Sequence, residues 1–467
     1  MRYRRAALAL LSILFAVCVY RAVTQAITVD EAFAYLKLMN GPPSLVFTTY
    51  DACHHVLYTY LARISIAVFG VSAIALRLPA LLAGLLYFSV VYRFCRWLSG
   101  DTWRLLLGVA VLSLNPLVLD FLVAARGYGM ALAFLLLAFY EFARFCAGER
   151  DPGGGRRLTR SGLWLSASIA ANLTMVFPAL ALMILAAGVV AFRRPGGWLP
   201  IQRYLAAVII PAFLLMVLPF SHAARGNFYY GLPALFDTLR GLAALSTSRA
   251  VPLWALLSLA GALLAASAAA LKQAISVRFT MWSAPVWTLL ISGAGLWMTA
   301  AGLIAAHHWF QLPYPAGRTG LYLILLFLAQ LISAIEWGLG QERTGKWMGA
   351  LLGVCASAML VLFVGAFRLT FFAEWDFCRE LKPMLATLEK NRPAGKIIRV
   401  AGSFEYETCV NFYRIKRDLG WMQPMSRDQL DSGDFYLFTG MDWRRAADRH
   451  LRVLFTDPVS HAVLAAP

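Results

Sequence analysis

The chain has 467 residues, of which 60% are apolar and only 14% are charged. Soluble globular proteins carry roughly 45–50% apolar and about 25% charged residues, so a soluble fold could not cover this much apolar surface. The composition argues against disorder, a coiled coil and a nucleic-acid-binding domain, although the net charge is +18. A polytopic membrane protein without a nucleic-acid partner is predicted.

The charges divide the chain into two parts. Residues 1–367 hold 27 Lys and Arg against 11 Asp and Glu, whereas residues 368–467 hold 15 against 13. The first part contains the long apolar runs, and the second has the composition of a soluble domain. We therefore predict a transmembrane domain over 1–367 and a small soluble domain over 368–467.

Apolar runs of about 17–25 residues are long enough to cross a bilayer as helices. Eleven such spans are predicted, with the two in 162–192 separated by a bend. They lie near 6–28, 75–97, 103–121, 127–147, 162–192, 203–221, 251–271, 283–305, 320–338 and 347–367. The predicted fold is thus a bundle of about eleven transmembrane helices.

Basic clusters mark one side of the predicted membrane domain. Arg2, Arg4 and Arg5 fall on the same side as Arg93 and as the basic loop 148–160. Cytoplasmic loops carry the excess of Lys and Arg, so this side is predicted to be cytoplasmic. An odd number of spans then places residues 368–467 outside, in the periplasm if the protein lies in a bacterial inner membrane.

The first outer loop, 26–72, is the longest and carries adjacent acids. Its two ends are amphipathic, and Gly41-Pro42-Pro43 separates them, so two helices at the membrane surface are predicted. Asp30 and Glu31 lie where the first span ends. Ionisable groups at membrane depth tend to be functional, but acids also favour the first turn of any helix.

Histidines and arginines supply further candidates on the outer side. His54 and His55 are adjacent, so they project from different faces of a helix and are unlikely partners for one metal ion. Arg77, Arg126 and Arg318 oppose the positive-inside trend. Arginine suits bidentate recognition of phosphate, although snorkelling or binding of lipid headgroups explains most outer arginines. Arg126 and Arg318 stand out because each lies between two apolar spans, close to the bilayer.

Four segments together resemble a known family. The segments TVDEAFAY at 28–35, HHVLYTYLAR to RFCRWLSG at 54–100, LNPLVLDFLVAARGYGMALAFLLLAFY at 114–140 and LPYPAGRTGLYLILLFL at 312–328 are similar to segments of GT-C glycosyltransferases that use polyprenyl-phosphate sugars. The branch includes protein O-mannosyltransferases and aminoarabinose transferases. The similarity covers about the first 150 residues and returns at the late outer loop.

The resemblance implies roles for particular residues. The first acid of the family's acidic pair is commonly the catalytic base, which maps onto Asp30 with Glu31 in support. The family's arginine-aromatic motif, usually Arg-Pro-Tyr, corresponds to Arg126 and Tyr128, with Gly127 in place of proline. Arg318 matches a position associated with the lipid phosphate.

Three further residues are substrate-binding candidates. His54 and His55 stand where the family has His-Pro, so that stretch departs from the family's pattern. Arg77 is a third cation on the outer side that could help to stabilise the leaving phosphate.

The predicted reaction moves a sugar from a polyprenyl-phosphate donor to a lipid, glycan or protein acceptor. No cofactor is expected. A divalent metal is an open alternative for this class, but it is not indicated because the sequence has no clear acidic cluster beyond Asp30, Glu31 and Asp51. A transporter or flippase of lipid-linked sugars is the alternative, although transporters usually place charge at the bilayer midplane. A non-catalytic membrane assembly protein is a third possibility.

The C-terminal hundred residues alternate helical and strand patterns. KIIRVAG, FYLFTG and RVLFTD are predicted strands, and the segments 374–391 and 406–420 are predicted helices, which indicates a small α/β domain. Such a domain would close over the site, engage the acceptor or serve as a structural cap. A disulfide between Cys378 and Cys409 is permitted on the oxidising side of the membrane.

Overall fold

A computed structural model describes residues 1–149, 155–193, 197–276 and 282–467. Residues 150–154, within the basic loop 148–160 used for the topology prediction, lie outside the described ranges.

Within these ranges, nine helices are long and apolar enough to cross a membrane. Helices satisfy their own backbone hydrogen bonds, which a bilayer core demands. The nine are Arg2–Thr24, Ala73–Ser99, Gly127–Cys146, Leu173–Phe192, Leu199–Phe220, Leu253–Ile275, Ala284–Phe310, Gly317–Leu339 and Arg343–Gly365. The chain is a multi-pass membrane protein.

Two of these helices form the centre of the bundle. The apolar window of Gly317–Leu339 is 89% buried and that of Gly127–Cys146 is 78% buried, whereas Leu253–Ile275 is only 17% buried. The central helices therefore contact other helices on every side, and the peripheral ones present most of their surface to lipid. Arg126 and Arg318, at the starts of the two central helices, consequently lie close to the axis of the bundle.

The remaining predicted spans correspond to shorter helices. The span predicted at 103–121 is broken into Trp103–Ser113 and Pro116–Phe121. Asn115 causes the break, because its side chain accepts a hydrogen bond from the backbone N–H of Val118 and Pro116 then starts the new helix. A single continuous helix over 103–121 is therefore a wrong prediction.

The bend predicted within 162–192 is confirmed and falls at Asn172. Helix Arg156–Ala171 ends there, and the Asn172 side chain accepts from the backbone N–H of Thr174 to start the next helical segment. The first half has 16 residues, below the usual length of a span.

The outer loop 26–72 is mostly helical. It comprises Val29–Ala34, a π-helical turn Tyr35–Met39, the short helix Leu45–Thr48 and the helix Val56–Phe69. Gly41-Pro42-Pro43 separates the two halves, as predicted. Thr28 and Glu31 form a reciprocal capping box that starts the first helix. Another outer connection holds the helix Leu235–Thr247.

After the last long helix, the chain forms a small α/β region. Its helices are the 3₁₀ turn Ala373–Cys378 and the α-helices Leu381–Asn391, Glu407–Lys416 and Arg444–Asp448. Its strands are β1 (Val400–Gly402), β2 (Phe435–Phe438), β3 (Arg452–Thr456) and β4 (Val463–Ala466).

The four strands form one mixed sheet in the order β1-β2-β4-β3. β1 pairs with β2 in parallel, and β4 pairs antiparallel with both β2 and β3. The three predicted strands are present. β4 was missed because its two alanines have little strand propensity, and its hydrogen bonds to two neighbours stabilise it instead.

Candidate functional site

Charged side chains converge at one rim of the bundle. Helix Arg2–Thr24 ends at this rim, while Ala73–Ser99, Gly127–Cys146 and Gly317–Leu339 begin there. The α/β region packs on the same rim, where the Thr408 hydroxyl donates to the carbonyl of Val29 at 3.2 Å. Residues far apart in the sequence are thereby brought into contact.

Arg318 is the hub of the cluster. Its Nη2 lies 2.8 Å from Oδ2 of Asp30, and its Nη1 lies 2.8 Å from Oε2 of Glu374. The guanidinium also lies over the rings of Tyr230 and Trp375, with its central carbon 4.8 and 5.3 Å from their centroids. One cation is thus shared between two carboxylates and held by two aromatic faces.

Arg126 supplies a second positive charge next to Asp30. Its side chain is only 1% exposed, and its Nη2 lies 3.9 Å from Oδ2 of Asp30. Its Nη1 also donates to the backbone carbonyl of Asp30 at 3.3 Å. The site therefore carries two arginines around a carboxylate that retains 15% exposure.

Glu374 was not predicted from the sequence. It lies in the 3₁₀ turn Ala373–Cys378, and its Oε1 accepts from the backbone N–H of Arg318 at 2.9 Å. Burial raises the pKa of Glu374 above its usual range, although the Arg318 charge and hydrogen bonds lower it in part. The sequence did contain one indication of Glu374, which is the first acid after Glu342 and lies in the segment that follows the last span.

Gly317 allows this close approach. Its φ is +47°, and a Cβ there would lie 1.9 Å from Oε1 of Glu374. A side chain at this position would therefore push Glu374 away from Arg318.

A buried ion pair anchors the segment that carries Glu374. Oδ1 of Asp120 lies 2.5 Å from Nη2 of Arg21, and Oδ2 of Asp120 accepts from the backbone N–H of Ala373 at 2.8 Å. Arg21 also donates to the carbonyl of Phe371 at 3.1 Å. Asp120 and Arg21, neither of them predicted as site residues, thus fix the backbone next to Glu374.

Glu31 and Arg77 form a separate, fully buried pair. Both side chains are 0% exposed, and the Arg77 Nε and Nη2 lie 2.8 and 2.7 Å from the two Glu31 oxygens. The carboxylate also accepts from the backbone N–H groups of Ala125, at 2.6 Å, and Thr28, at 2.8 Å. Burial alone would raise the pKa of Glu31, but the Arg77 charge and these hydrogen bonds together hold it below its usual range.

The pair links three pieces of the chain. Arg77 donates further hydrogen bonds to the backbone carbonyls of Ala22, Gln25 and Ala26. The end of the first span, the acidic helix and the turn before Arg126 are therefore held together by one salt bridge. The catalytic role of Glu31 and the substrate role of Arg77 stay predictions, and both side chains face protein rather than solvent.

Gly127 stands where the resembling family has proline, and the packing explains the absence of a side chain. A Cβ at Gly127 would lie 2.0 Å from the carbonyl oxygen of Ala171 and 2.7 Å from Cβ of His55. Tyr128 packs edge-on against His55, with centroids 4.8 Å apart. The Arg126–Tyr128 turn is therefore fitted tightly against the second half of the outer loop.

His54 and His55 lie behind this turn and are both buried. Burial lowers the pKa of His54 to about 4, and burial together with the Arg126 charge lowers the pKa of His55 well below its usual range. Nδ1 of His54 lies 3.0 Å from the carbonyl of Thr49. Within the described residues, Nε2 of each ring has no hydrogen-bond partner. Their roles in substrate binding stay predictions.

A cleft of about 340 Å³ opens beside Asp30, within the usual range of about 300–1,000 Å³ for ligand pockets. The membrane domain supplies one wall, and residues after the last span supply the other. Its lining residues are Val29, Asp30, Phe33, Asp51, Cys53, Tyr229, Glu374, Trp375, Phe377, Phe404, Glu405, Thr408 and Arg427.

In the described ranges, no three His, Cys, Asp or Glu side chains are grouped so that they could hold a metal ion. Metal independence stays a prediction. Cys378 and Cys409 are both buried free thiols, so the permitted disulfide is not formed.

Solved structures with the same fold exist, although no family model and no curated protein sequence matches the chain. The aminoarabinose transferase ArnT from Cupriavidus metallidurans, in the apo state, aligns with a TM-score of 0.52 and 12% identity over 98% of this chain and 97% of that chain. ArnT bound to undecaprenyl phosphate aligns with a TM-score of 0.46 and 13% identity, over 99% and 97% of the two chains.

A third match is the oligosaccharyltransferase AglB from Archaeoglobus fulgidus, in complex with an inhibitory peptide and a dolichol-phosphate. It has a TM-score of 0.41 and 11% identity, over 99% of this chain and 74% of that chain. A TM-score below 0.5 is too low to assign a fold to this chain. The match to apo ArnT shows that the chain has the GT-C fold, as predicted.

Proposed function

We propose that the protein is a membrane glycosyltransferase that moves a sugar from a polyprenyl-phosphate donor to an acceptor hydroxyl. The observation that carries the proposal is the contact between Asp30 and Arg318, 2.8 Å apart, at the wall of the 340 Å³ cleft. A carboxylate and a cation are thus adjacent where a base and a phosphate-binding group are both needed. The GT-C fold supports the same reaction class.

Arg318 and Arg126 are proposed to hold the donor phosphate. Negative charge grows on the phosphate oxygen as the bond to the sugar breaks, and preorganised cations stabilise that charge best in a site of low dielectric. Both arginines are largely buried, with 14% and 1% exposed side chains. The phosphate would compete with Asp30 and Glu374 for Arg318, and this competition would release the Asp30 carboxylate.

Asp30 is proposed to act as the general base. The acceptor oxygen attacks the anomeric carbon and its proton passes to Asp30. The bond between that carbon and the phosphate oxygen breaks, and its electron pair leaves with polyprenyl phosphate. A single displacement inverts the anomeric configuration, and a positioned base contributes about 10²–10⁴-fold in rate.

The reaction is proposed to take place on the non-cytoplasmic face. The basic clusters of the sequence favour a cytoplasmic N-terminus, and the site lies at the opposite end of helix Arg2–Thr24. The lipid tail of the donor would stay in the bilayer against the apolar helices, so only the phosphate and sugar would enter the site. We also propose that the membrane is a bacterial inner membrane, in which the C-terminal region would be periplasmic.

The variant Asp30→Asn tests the proposal. Purified wild-type protein and D30N are placed in vesicles containing defined polyprenyl-phosphate sugars and an extract of envelope lipids, glycans and proteins, and labelled products are identified by mass spectrometry. We expect a covalent product from the wild type and a loss of at least 10²-fold in D30N. Asp448→Asn changes an exposed carboxylate in Arg444–Asp448 and serves as the control. Full activity in D30N would contradict the assignment of the base.

The same vesicles separate an enzyme from a transporter. Movement of the labelled donor across the bilayer without any glycosylated product would favour a flippase and would overturn the enzymatic proposal.

A further inference from the structure

The cleft beside Asp30 is lined by aromatic and acidic side chains that a general base alone does not require. Aromatic side chains from both walls face it: Phe33 from the membrane domain, and Trp375, Phe377 and Phe404 from the segment after the last span. Four carboxylates also line it, namely Asp30, Asp51, Glu374 and Glu405. Aromatic faces together with hydrogen-bond acceptors suit a ligand that has apolar C–H surfaces and many hydroxyl donors.

Most of these carboxylates already have cationic partners. Asp51 lies 2.7 Å from Nζ of Lys37, and Asp30 and Glu374 share Arg318. Arg427, the one cation in the lining, pairs at 2.7 Å with Glu407. Among the described residues, four carboxylates and one arginine line the cleft, so an anionic ligand would meet an excess of like charge.

Glu405 differs from the other acids. Among the described residues it makes no ion pair, and its Oε2 is buried without a hydrogen-bond donor. An unsatisfied buried acceptor destabilises the folded protein, and a hydroxyl or ammonium group of a ligand would supply the missing donor. Glu405 lies just after β1, in the turn Phe404–Tyr406 that precedes helix Glu407–Lys416. The α/β region therefore presents it to the cleft.

On the basis of the proposed function, we infer that this cleft holds the acceptor. The part of the acceptor that enters it is a sugar ring without negative charge, and Glu405 is the residue that selects against anionic rings. Arg126 and Arg318, proposed to hold the donor phosphate, are not among the lining residues. In this assignment the donor phosphate would contact the two arginines next to Asp30, and the acceptor ring would enter the cleft that Asp30 lines. The α/β region takes part in acceptor recognition rather than serving only as a cap.

The test uses full-length protein in lipid nanodiscs and three probes: the methyl glycosides of glucose, glucosamine and glucuronic acid. A ligand that binds only the folded protein raises its unfolding temperature by an amount that grows with ln(1 + [L]/Kd), so a weaker ligand gives a smaller rise at the same concentration. We expect the neutral and the amino glycoside to raise it at pH 7, with the glucuronide at least tenfold weaker. In Glu405→Gln that preference against the glucuronide should fall to within about threefold, because the repelling charge is removed.

A loss of folding cannot imitate this result, since the readout is a change in selectivity. Glu389→Gln alters an exposed carboxylate in helix Leu381–Asn391 and should leave the preference unchanged. Equal binding of all three glycosides by the wild type, no binding of any, or an unchanged preference in E405Q would each overturn the inference. Displacement of the neutral glycoside by a polyprenyl-phosphate glucose would assign the ring to the donor instead and would also overturn it.

The outcome is separable from that of the proposed function. Transfer by D30N at the wild-type rate would contradict Asp30 as base whatever the glycosides do. Selective glycoside binding without transfer would leave a sugar-binding cleft in a protein that is not a transferase.

Discussion

The buried pair of Glu31 and Arg77 makes the sharpest prediction about stability. We consider Glu31→Gln, which keeps the size of the side chain and removes its charge. The carboxylate accepts four hydrogen bonds in the structure, two of them from Arg77 and two from the backbone N–H groups of Thr28 and Ala125. The amide of glutamine has one accepting oxygen, so its NH₂ group must face at least one donor.

The magnitude follows from the burial of both partners. Arg77 is 0% exposed, so in E31Q its guanidinium would keep the carbonyls of Ala22, Gln25 and Ala26 and the one amide oxygen as partners, but it would lose its counter-charge. Removing one partner of a buried pair costs about 3–5 kcal/mol, because it leaves an uncompensated charge. We expect a loss of that order in the free energy of unfolding.

The assay is unfolding in mixed detergent micelles, followed by tryptophan fluorescence, with Glu389→Gln as the matched control. The double variant E31Q/R77M removes both charges, and we expect it to be more stable than E31Q because no buried charge is left unpaired. If E31Q unfolded like the wild type, or if the double variant were less stable than E31Q, the structural role assigned to the pair would be refuted. Sugar transfer per folded molecule separates this role from direct participation in catalysis.

Three further predictions concern the same rim. The folded state holds the pKa of His54 at about 4, below about 6.5 for a free histidine, so wild-type stability should fall as the pH drops from about 6.5 to about 4. The unfolding temperature of His54→Gln should fall less over this range. Parallel profiles of unfolding temperature against pH for the two proteins would contradict this. Gly127→Ala should cost about 1–3 kcal/mol of stability through overpacking and should lower sugar transfer. Gly241→Ala, where a Cβ meets nothing within 4 Å, should be neutral or slightly stabilising. Equal stability of the two variants would contradict the tight packing around Gly127. Arg318→Lys should raise the KM for the donor about tenfold or more, since one ammonium cannot reproduce the planar fork that contacts two carboxylates; an unchanged KM would exclude Arg318 from phosphate binding.

Much of the fold could be predicted because bilayer spans are encoded locally. A run of about twenty apolar residues is sufficient evidence for a membrane helix, and every predicted span overlaps a helix of the structure. The error at 103–121 arose because the run is apolar throughout, and hydropathy does not register the helix start at Asn115 and Pro116. The alternation of strands and helices in the last hundred residues was likewise visible, except for the alanine-rich β4.

The site was only partly predictable, because it is made by long-range contacts. Asp30, Arg126 and Arg318 were identified by residue type, position at the rim and resemblance to a family, and the structure brings them together. Sequence alone could not show that the adjacent acids diverge, with Asp30 facing a cleft and Glu31 facing Arg77. Glu374 lies 56 residues from Arg318, and no local pattern links the two.

The central claim is that Asp30 takes the acceptor proton during sugar transfer from a polyprenyl phosphate. The most direct measurement is the release of polyprenyl phosphate together with the glycosylated product, in vesicles at saturating donor, by the wild type and by D30N. We expect the wild type to yield polyprenyl phosphate and glycosylated product in equal amounts, with inverted anomeric configuration. We expect D30N to be stably folded and to have a kcat about 10²–10⁴-fold lower. Retained configuration, or a kcat for D30N within a few fold of the wild-type value, would contradict it.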